Sequence, residues 1–588
     1  MATFSVVAAG SSPLSYQWEK NGAAISGATS ASYSTAATVL ADSGSQFVVV
    51  VSNSVGSVTS NSATLTVTAD ATATSVLTYH NDNARTGQNL TETTLTPQNV
   101  NAASFGKLFS VPVDGAVYAQ PLYVPNVSIP GQGTRNVVYV ATEHDSVYAF
   151  DADASGPPLW HVSFIDPPNS VTTLSPTDVG CPDIPIEIGI TGTPVIDSTT
   201  GTLYVVARTK ENGTFVQRLH ALDITTGAEK LGGPVVIRAT VGGTGIDSVN
   251  GKIPFDAQTQ NQRSALLLQD GVVYIAWGSL CDVQPYHGWI MTYNSQALSQ
   301  TGVWNSTPNL SSTPNGTLAG GGIWASGSGP AGDGNSIFFA TGNGAFDVSH
   351  GDYSASVIKM GPPTAGVFSV SDYFTPFNQA ALNSKDMDLG SGGALLLDQP
   401  FGSPQHLLFL CGKEGKLYVI DRDNMGGFNS ASDHVIQSIP EANPGAWNSP
   451  AWWNNTLYLG GATEQQASLA DTLKAFAFDP VTSMLSTTPS SQTALSFHFP
   501  APTPSISANG NSSAILWMLE ESTYQDNSGQ AVLRAYDATN LANLLYSSSD
   551  NPTRDSPGLS VKFAVPTVVN GKVYVGTRNQ LSVFGLLP

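Results

Sequence analysis

Between Arg135 and Trp160 short apolar runs alternate with polar turns: NVVYVAT, then EHD, then SVYAFD, then a loop through Gly156 closed by an aromatic residue. The same grammar returns in GTLYVVARTKENGTFVQRLHALDITTG, HLLFLCGKEGKLYVIDRDNMGG and AVLRAYDATNLANLLY, each with an Asp just after an apolar run. Runs rich in Val, Ile, Tyr and Phe and bounded by Gly, Asn and Asp predict β-strands. Their recurrence predicts a repeat architecture. Runs that would open a unit start near Ala119, Gly192, Arg263, Gly321, Asp388, Ala446, Ser505 and Val561, 56 to 73 residues apart. Each is followed by a second β-rich run ending in a polar turn, such as VYVATEHD, LYVVARTK or VYVGTRNQ.

Four strands per unit predict an all-β fold, an eight-bladed β-propeller over residues 105–588, in which radial repetition leaves few exposed sheet edges. The last unit shows only FAVPTVV, KVYVGT and LSVFGL, while KLFSVPV at 107–113 lacks partners of its own. Pairing that orphan with the C-terminal strands closes the ring.

Residues 1–70 follow another pattern. SYQWEKNG puts Trp18 in a strand ahead of an Asn21-Gly22 turn, and Asn-Gly is a hairpin signal. Farther on, Asp42, Gly44 and Phe47 precede an alternating strand. This region resembles the immunoglobulin-like modules of bacterial surface and secreted proteins. The resemblance makes Trp18 the core tryptophan and Asp42-x-Gly44-x-x-Phe47 the corner before a late strand. Both inter-sheet cysteines are absent, with Val49 near the place of the second, and the first strand of the sandwich is missing. A spacer role is expected. Residues 71–104 read as a linker and a polar lead-in without periodicity.

Hydrophobic residues make 41% of the 588, so the chain supports a large core, while charged residues make only 11% and Gly reaches 57. The formal net charge of −21 disfavours nucleic acid and anionic membrane surfaces. No apolar run approaches the roughly 18 residues of a membrane span, so no membrane insertion is expected. The opening ATFSVVAAG alternates like a strand and lacks the basic start of a signal peptide; we expect a truncated start and an extracytoplasmic protein. Cys181 and Cys281 fall in loops on one face of neighbouring units, which predicts a disulfide in an oxidising compartment. Cys411 ends a buried-looking strand.

FDADASGPPLW (150–160) is similar to the tryptophan-docking repeat of quinoprotein-type propellers, the superfamily built around pyrroloquinoline quinone (PQQ) alcohol dehydrogenases. Residues 78–588 look like a bacterial PQQ-like propeller. That resemblance implies a planar tricarboxylate cofactor on an aromatic floor of Trp324 or Trp447. Its carboxylates would meet Arg263, Lys413, Lys562, Arg578 and Arg208, and Ca²⁺ would bind to Asn509 or Glu187 oxygens. The chain departs from the alcohol-oxidising members in lacking an adjacent-cysteine pair and a CxxCH haem site.

Turns between second and third strands, with the starts of first strands, gather ionisable residues on one face of a chain otherwise poor in charge. Ligands enter protein sites at such loops. Here the primary expectation is a funnel binding a saccharide, another polar small molecule or a surface protein partner. A PQQ- and Ca²⁺-dependent dehydrogenase is the alternative. A polysaccharide lyase or hydrolase using His144, Asp145, Tyr286 or His287 is the third reading.

Overall fold

A computed structural model describes residues 2–35, 45–65, 74–309, 319–364, 366, 368–399, 402–462, 469–526 and 528–588. The chain divides into two compact units, Met1–Thr74 and Ser75–Pro588.

In the first unit Thr3–Ser5 pairs with Ser32–Ser34, and Ser15–Lys20 lies between Ala23–Ala24 and Gln46–Asn53 in a second sheet. Trp18 faces Val49 across that sheet, and both are buried. The Trp18 indole donates to Ser30 O at 2.9 Å, which satisfies its one polar atom. Asn21 and Gly22 both take positive φ, 52° and 79°, as the two-residue turn requires. Asp42 and Gly44 of the expected corner lie outside the described residues.

In the second unit the chain makes successive antiparallel sheets. Leu122–Ile129, Gly133–Thr142, Ser146–Asp151 and Trp160–Ser163 form the first. The following sheets begin with Val195–Asp197, Leu267–Gln269, Ala331–Gly332, Leu395–Asp398, Ala451–Trp453, Ser505–Asn509 and Thr567–Val569. Val195–Asp197, Leu267–Gln269, Ala331–Gly332 and Leu395–Asp398 touch in succession, as do Ala451–Trp453, Ser505–Asn509 and Thr567–Val569, and the last of these touches Leu122–Ile129 of the first sheet. In the last sheet, Phe105–Ala116 pairs with the C-terminal part of Lys572–Leu586, with Leu581 opposite Val111 and Leu586 opposite Phe105.

The second strand of each unit is a continuous apolar run because the sheets are covered on both faces. Separate apolar clusters fill the wedges between consecutive sheets, including one that joins Val111, Leu581 and Val583 of the last sheet to Tyr139 of the first. Trp160 shows how a wedge is fastened. Its indole crosses to the next sheet and donates to Ile224 O at 2.9 Å. Gly227 (φ 74°) permits that approach, since a Cβ there would stand 2.6 Å from the ring. The recurrent Asp is a turn device: Asp151, Asp421 and Asp537 each accept, at 2.9 Å, the amide two residues on, the Asx-turn geometry.

Residues 75–92, expected as linker and lead-in, are instead built into the second unit, where they meet every sheet in turn. Val76 exchanges two backbone hydrogen bonds with Tyr123 at 2.8 and 2.9 Å, and Leu77 O accepts from Ile196 N at 2.9 Å. Asn83 donates to Leu268 O at 2.9 Å. Gly332, Leu396, Trp452 and Ile506 then donate their amides to the carbonyls of Asn83, Ala84, Thr86 and Gly87 at 2.7–2.9 Å, and Asn89 donates to Val568 O at 3.0 Å. At the hub, the fully buried Arg85 donates to Pro330 O, Leu266 O, Tyr79 O and Thr78 Oγ1 at 2.7–3.2 Å. No helix among the described residues is long and apolar enough to cross a membrane.

Candidate functional site

A cavity of about 420 Å³ opens where the loops ahead of the first strands meet the turns that follow the second strands. Its size is that of a small-molecule site. Trp324, Trp447, Phe499 and Phe563 form its apolar walls. Glycines from three segments explain the position of Trp324: a Cβ on Gly278, Gly322 or Gly342 would come within 2.4–3.0 Å of the indole, so together they cut the slot the ring occupies. The Trp324 Nε1–H is buried and has no partner. Trp447 and Phe499 meet edge to face at 5.3 Å.

Several residues around this cavity hold left-handed backbone conformations: Cys281 (φ 48°), Asp282 (52°), Ser326 (44°), Asp386 (56°) and Phe563 (63°). Such conformations cost on the order of 1–3 kcal/mol each and concentrate at functional sites. The Cys181–Cys281 disulfide, Cα atoms 5.6 Å apart, ties this rim to the loop before the second sheet. Cys411 is buried and free, and burial pushes its thiol up to about 12, as suits an inert core residue.

The charges fall in two clusters. In the first, Arg263 Nη2 meets Asp183 Oδ2 at 2.5 Å and Lys562 pairs with Asp183 Oδ1. Burial raises the Asp183 carboxyl, but Arg263 and Lys562 outweigh it and hold the group well below the carboxylate range. In the second, Lys413 Nζ lies 2.7 Å from Asp388 and 3.2 Å from Asp386. Burial lowers that ammonium, and the two carboxylates more than reverse the effect. Asp282 stands beside them and accepts the Tyr286 hydroxyl at 2.7 Å. Although the residue is exposed at the rim, crowding of its carboxyl and then the charge of Asp388 push it up to about 6.

The expected residues divide accordingly. Arg263, Trp324, Trp447, Lys413 and Lys562 line the cavity. Arg578 does not: it shares a separate recess of about 170 Å³ with Asp114, Tyr118 and Glu187 and donates to Tyr524 O at 3.1 Å. Asn509 is an exposed residue closing a hairpin with Ser512. It ends its strand, whereas Ser505 begins it, so it lies outside the cavity. Glu187 is engaged by His144 at 2.7 Å. Among the described residues no group of three His, Cys, Asp or Glu could hold a metal ion.

The proposed acid–base set is also dispersed. Asp145 is buried and accepts the Arg208 amide at 3.1 Å. His287 is buried between Thr307 Oγ1 (2.9 Å) and Asp247 (3.1 Å). Tyr286 reaches the cavity only through Asp282 and an edge-to-face contact with Trp324 at 5.7 Å. Sequence reasoning passed over Asp183, Asp386, Phe499 and Phe563. The signal for Asp183 was its place in DVGCPDIPIE, two residues beyond a cysteine already assigned to the mouth.

Solved structures of similar shape include quinohemoprotein alcohol dehydrogenase ADHIIG from Pseudomonas putida HK5, with 14% identity, TM-score 0.56 and cover of 87% of this chain and 80% of that one. The quinohemoprotein alcohol dehydrogenase from Comamonas testosteroni matches with 16% identity, TM-score 0.55 and cover of 88% and 81%. A europium-containing methanol dehydrogenase matches with 13% identity, TM-score 0.56 and cover of 87% and 98%. No protein-family model and no curated protein matches the chain. These likenesses show the fold, a quinoprotein-like β-propeller.

Proposed function

We propose that this protein is an extracytoplasmic binding protein. Its propeller has eight blades, and its cavity takes a saccharide or another polar organic molecule. Met1–Thr74 serves as an immunoglobulin-like spacer. The observation that carries the reading is the aromatic-walled cavity of about 420 Å³, whose charged groups are already paired with one another. Aromatic faces suit the C–H faces of a sugar or an organic stem, and fixed polar groups orient hydroxyls. The Cys181–Cys281 disulfide favours an oxidising compartment.

The dehydrogenase alternative draws on the fold likeness and on the aromatic and cationic lining of the cavity, and fold does not carry function. PQQ needs a surplus of positive charge for its carboxylates and oxygen ligands for a cation. Here three cations face four carboxyls in the cavity, and each cation is held by an aspartate of the same chain. With no group of three His, Cys, Asp or Glu side chains placed to hold a metal ion among the described residues, the donor set does not fit PQQ with Ca²⁺.

A thermal-shift panel of mono- and disaccharides, with PQQ plus Ca²⁺ as a separate arm, tests the reading on the whole chain. A ligand at 100 times its Kd stabilises by about 2.7 kcal/mol. We expect a saccharide to raise Tm and Trp324→Ala to abolish that shift. A shift from PQQ plus Ca²⁺ alone, lost in the same variant, would overturn it.

A further inference from the structure

The two charge clusters in the cavity come from different parts of the ring. Arg263 precedes the third sheet and Lys562 the last, and they share Asp183 from the loop before the second sheet. Asp386 and Asp388 precede the fifth sheet, Lys413 follows its second strand, and Asp282 joins them from the third. Neither cluster is neutral within itself. Two cations share one carboxylate in the first, and three carboxyls share one ammonium in the second. The mouth is therefore polarised across the aromatic walls.

Further observations point to a ligand at each end. At the first, the buried Arg263 Nε–H has no partner. Its guanidinium is fixed over the Phe563 ring at 5.2 Å, so the donor is held rather than floppy. An arginine so held presents a planar fork suited to a carboxylate. At the second, Asp386 keeps a side chain 62% exposed beside the largely buried Asp388–Lys413 pair. Trp447 and Phe499 give an aromatic surface of the kind that attracts ammonium groups.

From this geometry, and resting on the binding function proposed above, we infer that the cavity selects a dipolar ligand: a small organic molecule bearing one anionic group, received by Arg263 and Lys562, and one ammonium group, received by Asp386, Asp388 and Asp282. A ligand of single sign meets repulsion from one cluster. A neutral ligand leaves both clusters unbalanced. Only a molecule carrying both charges satisfies the two ends together. An amino sugar bearing a carboxylate is the saccharide form of this class.

The test uses four probes on related skeletons: glucose (neutral), glucuronate (anion), glucosamine (cation) and muramic acid (zwitterion). Binding to the whole chain is read by calorimetry and tryptophan fluorescence at low salt. We expect muramic acid to bind about ten-fold or more tighter than the other three, since each charged hydrogen-bonded contact contributes a factor of that order. Arg263→Ala should remove its advantage over glucosamine, and a double change of Asp386→Asn and Asp388→Asn its advantage over glucuronate. Asp183→Asn strips the counter-charge from the first cluster and should strengthen glucuronate binding, so the inference stays exposed if Arg263→Ala fails to fold. Equal affinities for all four probes would overturn the dipolar selectivity while leaving a saccharide site. Absence of binding by all four would overturn both.

Discussion

The segment at the hub of the propeller makes a quantitative prediction. Arg85→Ala removes five donor contacts to four acceptors: Pro330 O, Leu266 O, Tyr79 O and Thr78 Oγ1. Leu266 O keeps a long contact from Thr78 Oγ1 at 3.5 Å. A buried acceptor left bare costs about 1–3 kcal/mol, so two bare carbonyls give about 4 kcal/mol. At about 2.1 cal/mol/K of unfolding entropy per residue, the 514 residues from Ser75 to Pro588 give roughly 1.1 kcal/mol/K, hence a Tm drop of about 4 °C by calorimetry. A second readout is more specific. The amides of Gly332, Leu396, Trp452 and Ile506 all donate to this segment, so their hydrogen exchange should accelerate together. Retention of Tm within about 1 °C with unchanged exchange at those four amides would refute the reasoning, because the segment would then be held without its arginine.

Two further outcomes follow from the same kind of accounting. Changing Cys181 and Cys281 together to Ala opens a loop of 100 residues, worth about 4.7 kcal/mol in the chain-entropy description; calorimetry should show a Tm lower by about 4 °C, and an unchanged Tm would remove the disulfide from the stability argument. Glu143 is fully buried, and burial pushes its carboxyl up to about 7 despite the Gly189 amide donating to Oε2. Its folded value thus lies above its unfolded one, so stability is fully present below about 4.5 and is lost as pH rises through about 7. The loss is on the order of 3 kcal/mol, and Glu143→Gln should flatten the pH dependence of the unfolding free energy over that window; a parallel curve for the variant would assign the dependence elsewhere.

Most of the propeller was written in local pattern. Second strands such as NVVYVAT and LYVVA announce themselves because wedge packing buries both faces, and turn aspartates mark strand ends at regular intervals. The pairing of residues 107–113 with the C-terminal strands followed from counting strands that lacked partners. The segment 75–92 carried no such mark. Its structure is a succession of short hydrogen-bonded contacts to separate sheets, from Tyr123 to Val568, and no periodicity accompanies contacts spread over the whole ring. A short polar stretch with one arginine looks the same whether it floats as a linker or threads a ring.

The site divides along a similar line. The chain has only 22 Lys and Arg residues, so a cation at the mouth of a unit stood out, and Arg263, Lys413 and Lys562 proved to face one cavity. Aspartate is common here and mostly serves turns, as Asp151, Asp421 and Asp537 do. Asp386 and Asp388 therefore carried no distinguishing local signal, and Asp183 only its nearness to Cys181, although the three decide what the cations can bind. An Arg263 facing open solvent would favour a polyanion. The same Arg263, sharing Asp183 with Lys562, offers one net positive charge and one spare donor. Ligand class rests on that residual charge, which exists only once three distant turns have been folded together.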